Sequence, residues 1–179
     1  MNGSPGMKRP RFPRLALRAA LIGVLALVMA EAAPVFPWAQ AAEATGPQAE
    51  LPKEMLVIVT RDGKQHPFTV EMALTPEQQA VGEMFRPSVP ADGGMLFDWG
   101  IPRESQMWMR NTIAALDMIF INADGTIRAI AENTVPYSLA NIGSRGPVKA
   151  TLEVAAGTAA RLDIRVGDVV KQRIFGNPP

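Results

Sequence analysis

The sequence predicts a mainly β domain, an antiparallel β-sandwich or small β-barrel with one or two short helices. Three observations predict it. Short runs rich in Val, Ile, Phe and Met recur with turn signals about every eight to twelve residues. Only scraps of helical pattern lie between them. The chain has 179 residues, 47% of them hydrophobic and 20% charged, which suits one packed core.

The first strand is Met55 to Thr60, a β-branched run that stops at the hairpin signal Arg61-Asp62-Gly63-Lys64. Gln65 to Met72 returns beside it, with Phe68, Val70 and Met72 on one face. Thr75-Pro76-Glu77-Gln78 opens a short helix. Thr75 caps it, Pro76 takes its first position, Gln78 completes a capping box and Gly82 ends it. A Pro/Gly loop over Pro87 to Gly94 leads to a short strand, Met95-Leu96-Phe97, and Trp99-Gly100-Ile101-Pro102 turns the chain. Gln106 to Arg110 and Ile113 to Asn122 read as strands, broken by polar Asn111-Thr112. Ala123-Asp124-Gly125 turns into a return strand, Thr126 to Ala131, followed by a long loop over Glu132 to Gly146. Val148 to Val154 is a further strand, Ala159 to Leu162 a helical turn, and Asp168 to Ile174 the last strand. The folded body thus spans about 54–175, with 176–179 as a tail.

The N-terminal stretch reads as an address. A basic segment from Lys8 to Arg18 precedes the uncharged run Ala19 to Ala30, and Ala39-Gln40-Ala41 offers a small-residue cleavage site. In that order these are the parts of a signal peptide, residues 1–41. As a helix the apolar run reaches about 18 Å, short of a hydrocarbon core of about 30 Å. A cleaved signal is therefore favoured over an anchor, and the expected location is periplasmic or secreted. Residues 42–53 read as a disordered lead-in.

Charge and composition narrow the function classes. The chain carries 18 Lys+Arg, 17 Asp+Glu, one His and no Cys. Five of the basic residues and one acid fall in 1–41, so 42–179 keeps 13 basic and 16 acidic residues, a net of −3. Nucleic acid is not an expected partner of such a body. Without Cys there is no disulfide, thiolate metal site or Cys nucleophile. No P-loop, G-x-S-x-G, H-E-x-x-H or G-x-G-x-x-G pattern is present, and no cofactor or metal is expected.

Three segments carry a signature: Gly82-Glu83-Met84-Phe85-Arg86, Gly94-Met95-Leu96-Phe97, and Met107-Trp108-Met109-Arg110-Asn111-Thr112 running on to Leu116-Asp117-Met118-Ile119-Phe120. Asp124-Gly125-Thr126-Ile127 and Leu152-Glu153-Val154-Ala155-Ala156-Gly157 follow at fitting spacing. Together they resemble the domain of unknown function 192 family over about 54–175. The chain departs from the family's common pattern at Ala115, where Pro is usual, and at Glu83, where Leu is usual. The resemblance implies a compact β-rich domain, often exported, and transfers no activity.

The residues themselves suggest a site around Arg86, Trp108, Asn111, Thr112 and Asp117. A flat indole beside amide and hydroxyl groups suits a sugar or peptide fragment, although Trp108 as core and Asn111 and Thr112 as strand-break partners is the plainer reading. Asp117 interrupts an apolar run from Ile113 to Ile121 and shares a face with Ala115, Ile119 and Ile121. A carboxylate there needs partners, with Arg86 and Arg110 as candidate cations and Asn111 or Thr112 as donors. It reads as a structural ion pair, as the polar floor of a pocket, or as a general acid or base. Asp117 with Glu153 would form a two-carboxylate site of glycosidase type. His66 reads as a surface histidine, and Met84, Met95, Met107 and Met109 as core rather than a Cu(I) site. The favoured function is a non-catalytic envelope module binding a small polar ligand or an envelope partner. The alternative is an enzyme on an envelope substrate using Asp117.

Overall fold

The computed structural model describes residues 44–179, so the segment read as a signal peptide lies outside the described residues. Among the described residues seven strands make one sheet: β1 Lys53–Val59, β2 Gln65–Ala73, β3 Gly93–Met107, β4 Leu116–Ile121, β5 Ile127–Ala131, β6 Ile142–Ala155 and β7 Val169–Lys171. Helices α1 Pro76–Val81 and α2 Thr158–Leu162 are both short, and a 3-10 turn follows at Arg173–Phe175. The strand order is β5-β4-β6-β3-β2-β1-β7. The sheet curls into a half-barrel whose edge strands meet at one bridge, Thr126 with Val169. Hydrogen bonds from Ile127 N to Asp168 O and from Val170 N to Gly125 O, both 2.8 Å, stitch that seam. Mainly β with scraps of helix is the fold, in the barrel-like rather than the sandwich form.

One pairing departs from the antiparallel expectation. β2 and β3 run parallel, because the connection between them, Leu74 to Asp92, carries α1 and crosses over the sheet. The capping box at Thr75 and Gln78 forms as read, with Pro76 opening the helix and Gly82 closing it. The turn signal at Trp99–Pro102 does not end a strand. Register shifts between Asp98 and Arg103 and between Glu104 and Gln106 absorb it, so β3 runs on to Met107. Its far end pairs with Gly143 and Ile142, which turns part of the expected 132–146 loop into β6. Conversely, Trp108 to Arg110 is not strand: the ladder ends at Met107 and resumes only at Leu116. From Gln48 on, the segment read as a lead-in packs on the body. The Gln48 side chain reaches the carbonyls of Gln78 and Gly82 at 3.1 and 3.0 Å, and Leu51 packs on the apolar cluster of Ala73, Met95 and Phe97.

Alternation divides the side chains between two layers. Leu56, Ile58, Phe68, Val70, Leu96, Ile119, Leu152 and Val154 fill the inside of the curl. On the outer face Glu71 of β2 sits beside Met95 of β3, which faces Glu153 of β6, which faces Met118 of β4. Two carboxyls therefore project from the same row of the sheet, on the side that the α1 crossover covers. Met84, Met95 and Met109 are each buried, Met95 and Met109 within apolar clusters, as expected of core methionines. His66 is half-buried in β2, opposite Ile58, rather than on the open surface.

Candidate functional site

The chain leaves α1 through Gly82 with φ +51°, and a Cβ there would stand 2.9 Å from the Phe97 ring. Only a residue without a side chain lets the crossover settle this close to the sheet. Glu83 is thereby lowered onto the outer row and left 4% exposed, as is Glu153. Arg86 follows and clasps Glu71 with two parallel bonds, Nη1 to Oε1 at 2.6 Å and Nη2 to Oε2 at 2.9 Å. Its Nη1 also lies 3.4 Å from Glu83 Oε2. The Leu51 N–H donates to Glu71 Oε2 at 2.8 Å.

Three carboxyls in one nest behave differently. Burial pushes Glu71 up, but the Arg86 bonds and the Leu51 N–H outweigh it and hold the group below the ordinary range. Burial pushes Glu83 up to about 7, with the Glu71 charge adding and Arg86 opposing. Glu153 is raised well above the ordinary value, by burial first and the Glu83 charge second. Glu83 is thus a carboxyl able to hold a proton near neutral pH, and Glu153 is displaced in the same direction.

Both line a cavity of about 410 Å³ between α1 and β3. Its walls are aromatic. Phe97 and Trp99 lie 5.7 Å apart at 31°, and Trp108 enters from the segment after β3. Trp99 is held from behind: its Nε1 donates to Thr151 Oγ1 at 3.2 Å, and Thr151 bonds Ser105 at 3.1 Å. The Arg103 guanidinium covers Trp99 at 4.4 Å, and Arg110 covers Trp108 at 5.4 Å. Gln79, Gln106 and Thr112 add polar groups to the lining.

Of the residues singled out from sequence, Trp108 and Thr112 line this cavity, and Arg86 stands behind its floor. Asn111 does not line it. With φ +55° it turns its carbonyl to the Phe85 N–H at 2.8 Å, which ties the two loops together. Asp117 belongs elsewhere. It is fully buried as expected, but its partners are the N–H groups of Asn133 (2.8 Å), Gly157 (3.1 Å) and Ala159 (2.9 Å), not Arg86, Arg110, Asn111 or Thr112. It anchors the start of α2. The Asp117–Glu153 carboxylate pair does not form, because Asp117 is in register with Val154 and so faces inward, while Glu153 faces outward. Glu83, Trp99 and Gln106 are not among the site residues read from sequence, where Glu83 stands only as a departure from the family's usual Leu. The available signal was Glu83 itself, an acid beside a helix end where an apolar residue would fit.

Residues 57–172 match the domain of unknown function 192 family, described as "Uncharacterized ACR". The chain belongs to this family. Two solved structures similar to this family member carry the likeness further. One, from Sinorhizobium meliloti 1021 and described only provisionally as a transcription regulator, is 47% identical with a TM-score of 0.68. That alignment covers 69% of this chain and 96% of the other. The second, a protein of unknown function from Novosphingobium aromaticivorans DSM 12444, is 38% identical with a TM-score of 0.66, covering 73% and 96%. No curated protein matches this family member.

Proposed function

We propose that this domain of unknown function 192 protein is an exported, non-catalytic module that binds a small polar ligand in the cavity between α1 and β3. One observation carries the reading. Two buried carboxyls, Glu83 and Glu153, form the floor of a concave space walled by Phe97, Trp99 and Trp108. A mostly apolar hollow with a few convergent polar groups is the usual form of a small-molecule site, and 410 Å³ falls in its lower range. Asp117 has no part in this reading, so the enzyme alternative built on it is dropped. The regulator description of the Sinorhizobium protein is not carried over, because the net charge of −3 over 42–179 provides no basic footprint for nucleic acid.

The test is intrinsic fluorescence. Trp99 and Trp108 both line the cavity, so titration with a panel of glycans, short peptides, amines and organic anions should shift emission for the ligand class that fits. Trp108→Ala should weaken that binding at least tenfold while the urea midpoint moves little, since Trp108 is half-buried. A silent panel overturns the reading. Secretion of a reporter fused after residue 45 tests the export half of the proposal.

A further inference from the structure

We propose that the cavity takes an organic monocation, a ligand that presents one ammonium or guanidinium group to the Glu83 and Glu153 carboxyls. The proposal rests on the ligand-cavity reading above and adds the ligand's charge. The excess of buried carboxyls over cations at and behind the floor carries it. Glu71, Glu83 and Glu153 are 6%, 4% and 4% exposed, and they have one guanidinium, Arg86, among them.

That guanidinium is committed. Both of its terminal nitrogens bond Glu71, and Glu83 receives only the 3.4 Å approach of Nη1. Glu83 Oε2 is buried and has no hydrogen-bond partner among the described residues. Ionising a carboxyl held this way is expensive, so Glu83 favours its protonated form while unpaired and becomes a stable carboxylate only beside a cation that it can bond. A cation entering from the cavity supplies the missing partner, with up to three N–H donors for an ammonium group.

The walls suit such a group. Each indole already has a guanidinium over one face, Arg103 on Trp99 and Arg110 on Trp108, which is the geometry of cation–π attraction. Arg103 also sets a limit. It lines the cavity, is exposed and makes no ion pair among the described residues, so a second positive charge on the ligand would meet it. The ligand class is therefore a monocation with an apolar or neutral remainder, set against the aromatic walls.

The purified chain is titrated with phenethylamine and with its neutral isostere 2-phenylethanol, by calorimetry and Trp fluorescence. The ammonium compound should bind at least tenfold tighter, and the gap should fall below threefold in Glu83→Gln and in Glu153→Gln. Glu83→Leu, apolar and of similar size, is the second variant should the amide compromise folding, and it should close the gap equally. Equal affinities in the wild-type chain, or a gap that survives all three substitutions, would overturn the cation assignment while the ligand cavity stands. Binding of neither compound, together with a silent panel, overturns both.

Discussion

Two buried acids on opposite sides of one sheet illustrate how partners decide what a carboxyl does. Asp117 accepts three backbone N–H groups and is thereby a structural anchor for α2 and the 133 turn. Asp117→Ala strands those donors in the interior, so a loss of roughly 3 kcal/mol is expected in urea unfolding. A change below 1 kcal/mol would contradict the anchor role. Glu83 lacks such a set, and its proton affinity follows. Its folded value of about 7 lies above the ordinary 4.5. The folded chain therefore keeps a proton that the unfolded chain releases. Its contribution to stability is complete below 4.5 and is lost as pH rises through 7. The loss is on the order of 3 kcal/mol. Glu153 shifts in the same direction and Glu71 in the opposite one, its contribution being present above 4.5 and lost as pH falls. The wild-type urea midpoint should therefore fall between pH 5 and pH 8, and Glu83→Gln should flatten that fall. A level wild-type profile over this window would sink the assignment.

At the scale of the element, α1 and the segment after it matter for where they hold Glu83 and Arg86 rather than for helix content. The helix has six residues, too few to be stable alone, and it is fastened at both ends. Thr75 and Gln78 close the capping box. Gln79 reaches the carbonyls of Ala73 and Asp98 at 3.1 and 2.7 Å, and Gln48 holds the far end. Gly82→Ala places a methyl 2.9 Å from Phe97 and 3.8 Å from Glu153 Oε2, at a φ of +51° that side chains rarely adopt. A destabilisation of about 1–3 kcal/mol is expected, together with altered Trp99 emission as Phe97 is displaced. A variant of wild-type stability and spectrum would mean that the crossover does not rest on Phe97. How legible these elements were depended on locality. The capping box, the two hairpin turns and the alternation of β2 are set by neighbours within four residues, and they form as read. The extent of β3 and β6 was not legible. Strand there depends on the partner at Gly143 and Ile142, which no local pattern announces.

For the described domain as a whole the distinctive feature is a sheet that nearly closes on itself. Val170 and Gly125 meet at the seam, and a Cβ on Gly125 would fall 2.6 Å from the Val170 carbonyl, at a φ of +87°. Gly125→Ala should therefore open the contact between the edge strands. Roughly 1–3 kcal/mol of stability should be lost, with faster hydrogen exchange at the Ile127 and Val170 amides. Unchanged protection at those amides would show that the edges do not depend on each other. Closure also explains the burial pattern. The inner layer holds the main apolar cluster, with Asp117 at its margin bonded to backbone N–H groups, while Glu71, Glu83 and Glu153 collect on the outer face under the crossover, beside the cavity.

By itself the sequence determined the β class, the two hairpin turns, the caps of α1 and the burial of Asp117, because each follows from backbone chemistry and side-chain period along a few consecutive residues. Membership of the family was legible too, since its motifs are contiguous. Only the tertiary structure decided which acids face which space. A one-residue step along a strand sends a side chain to the other side of the sheet, so Asp117 turns to the inner core while Glu153 turns outward. The parallel crossover then brings Glu83 and Arg86 from a distant loop onto the same outer row as Glu71 and Glu153. Those encounters join residues far apart in the chain, and electrostatics acts through space without regard to their order along it.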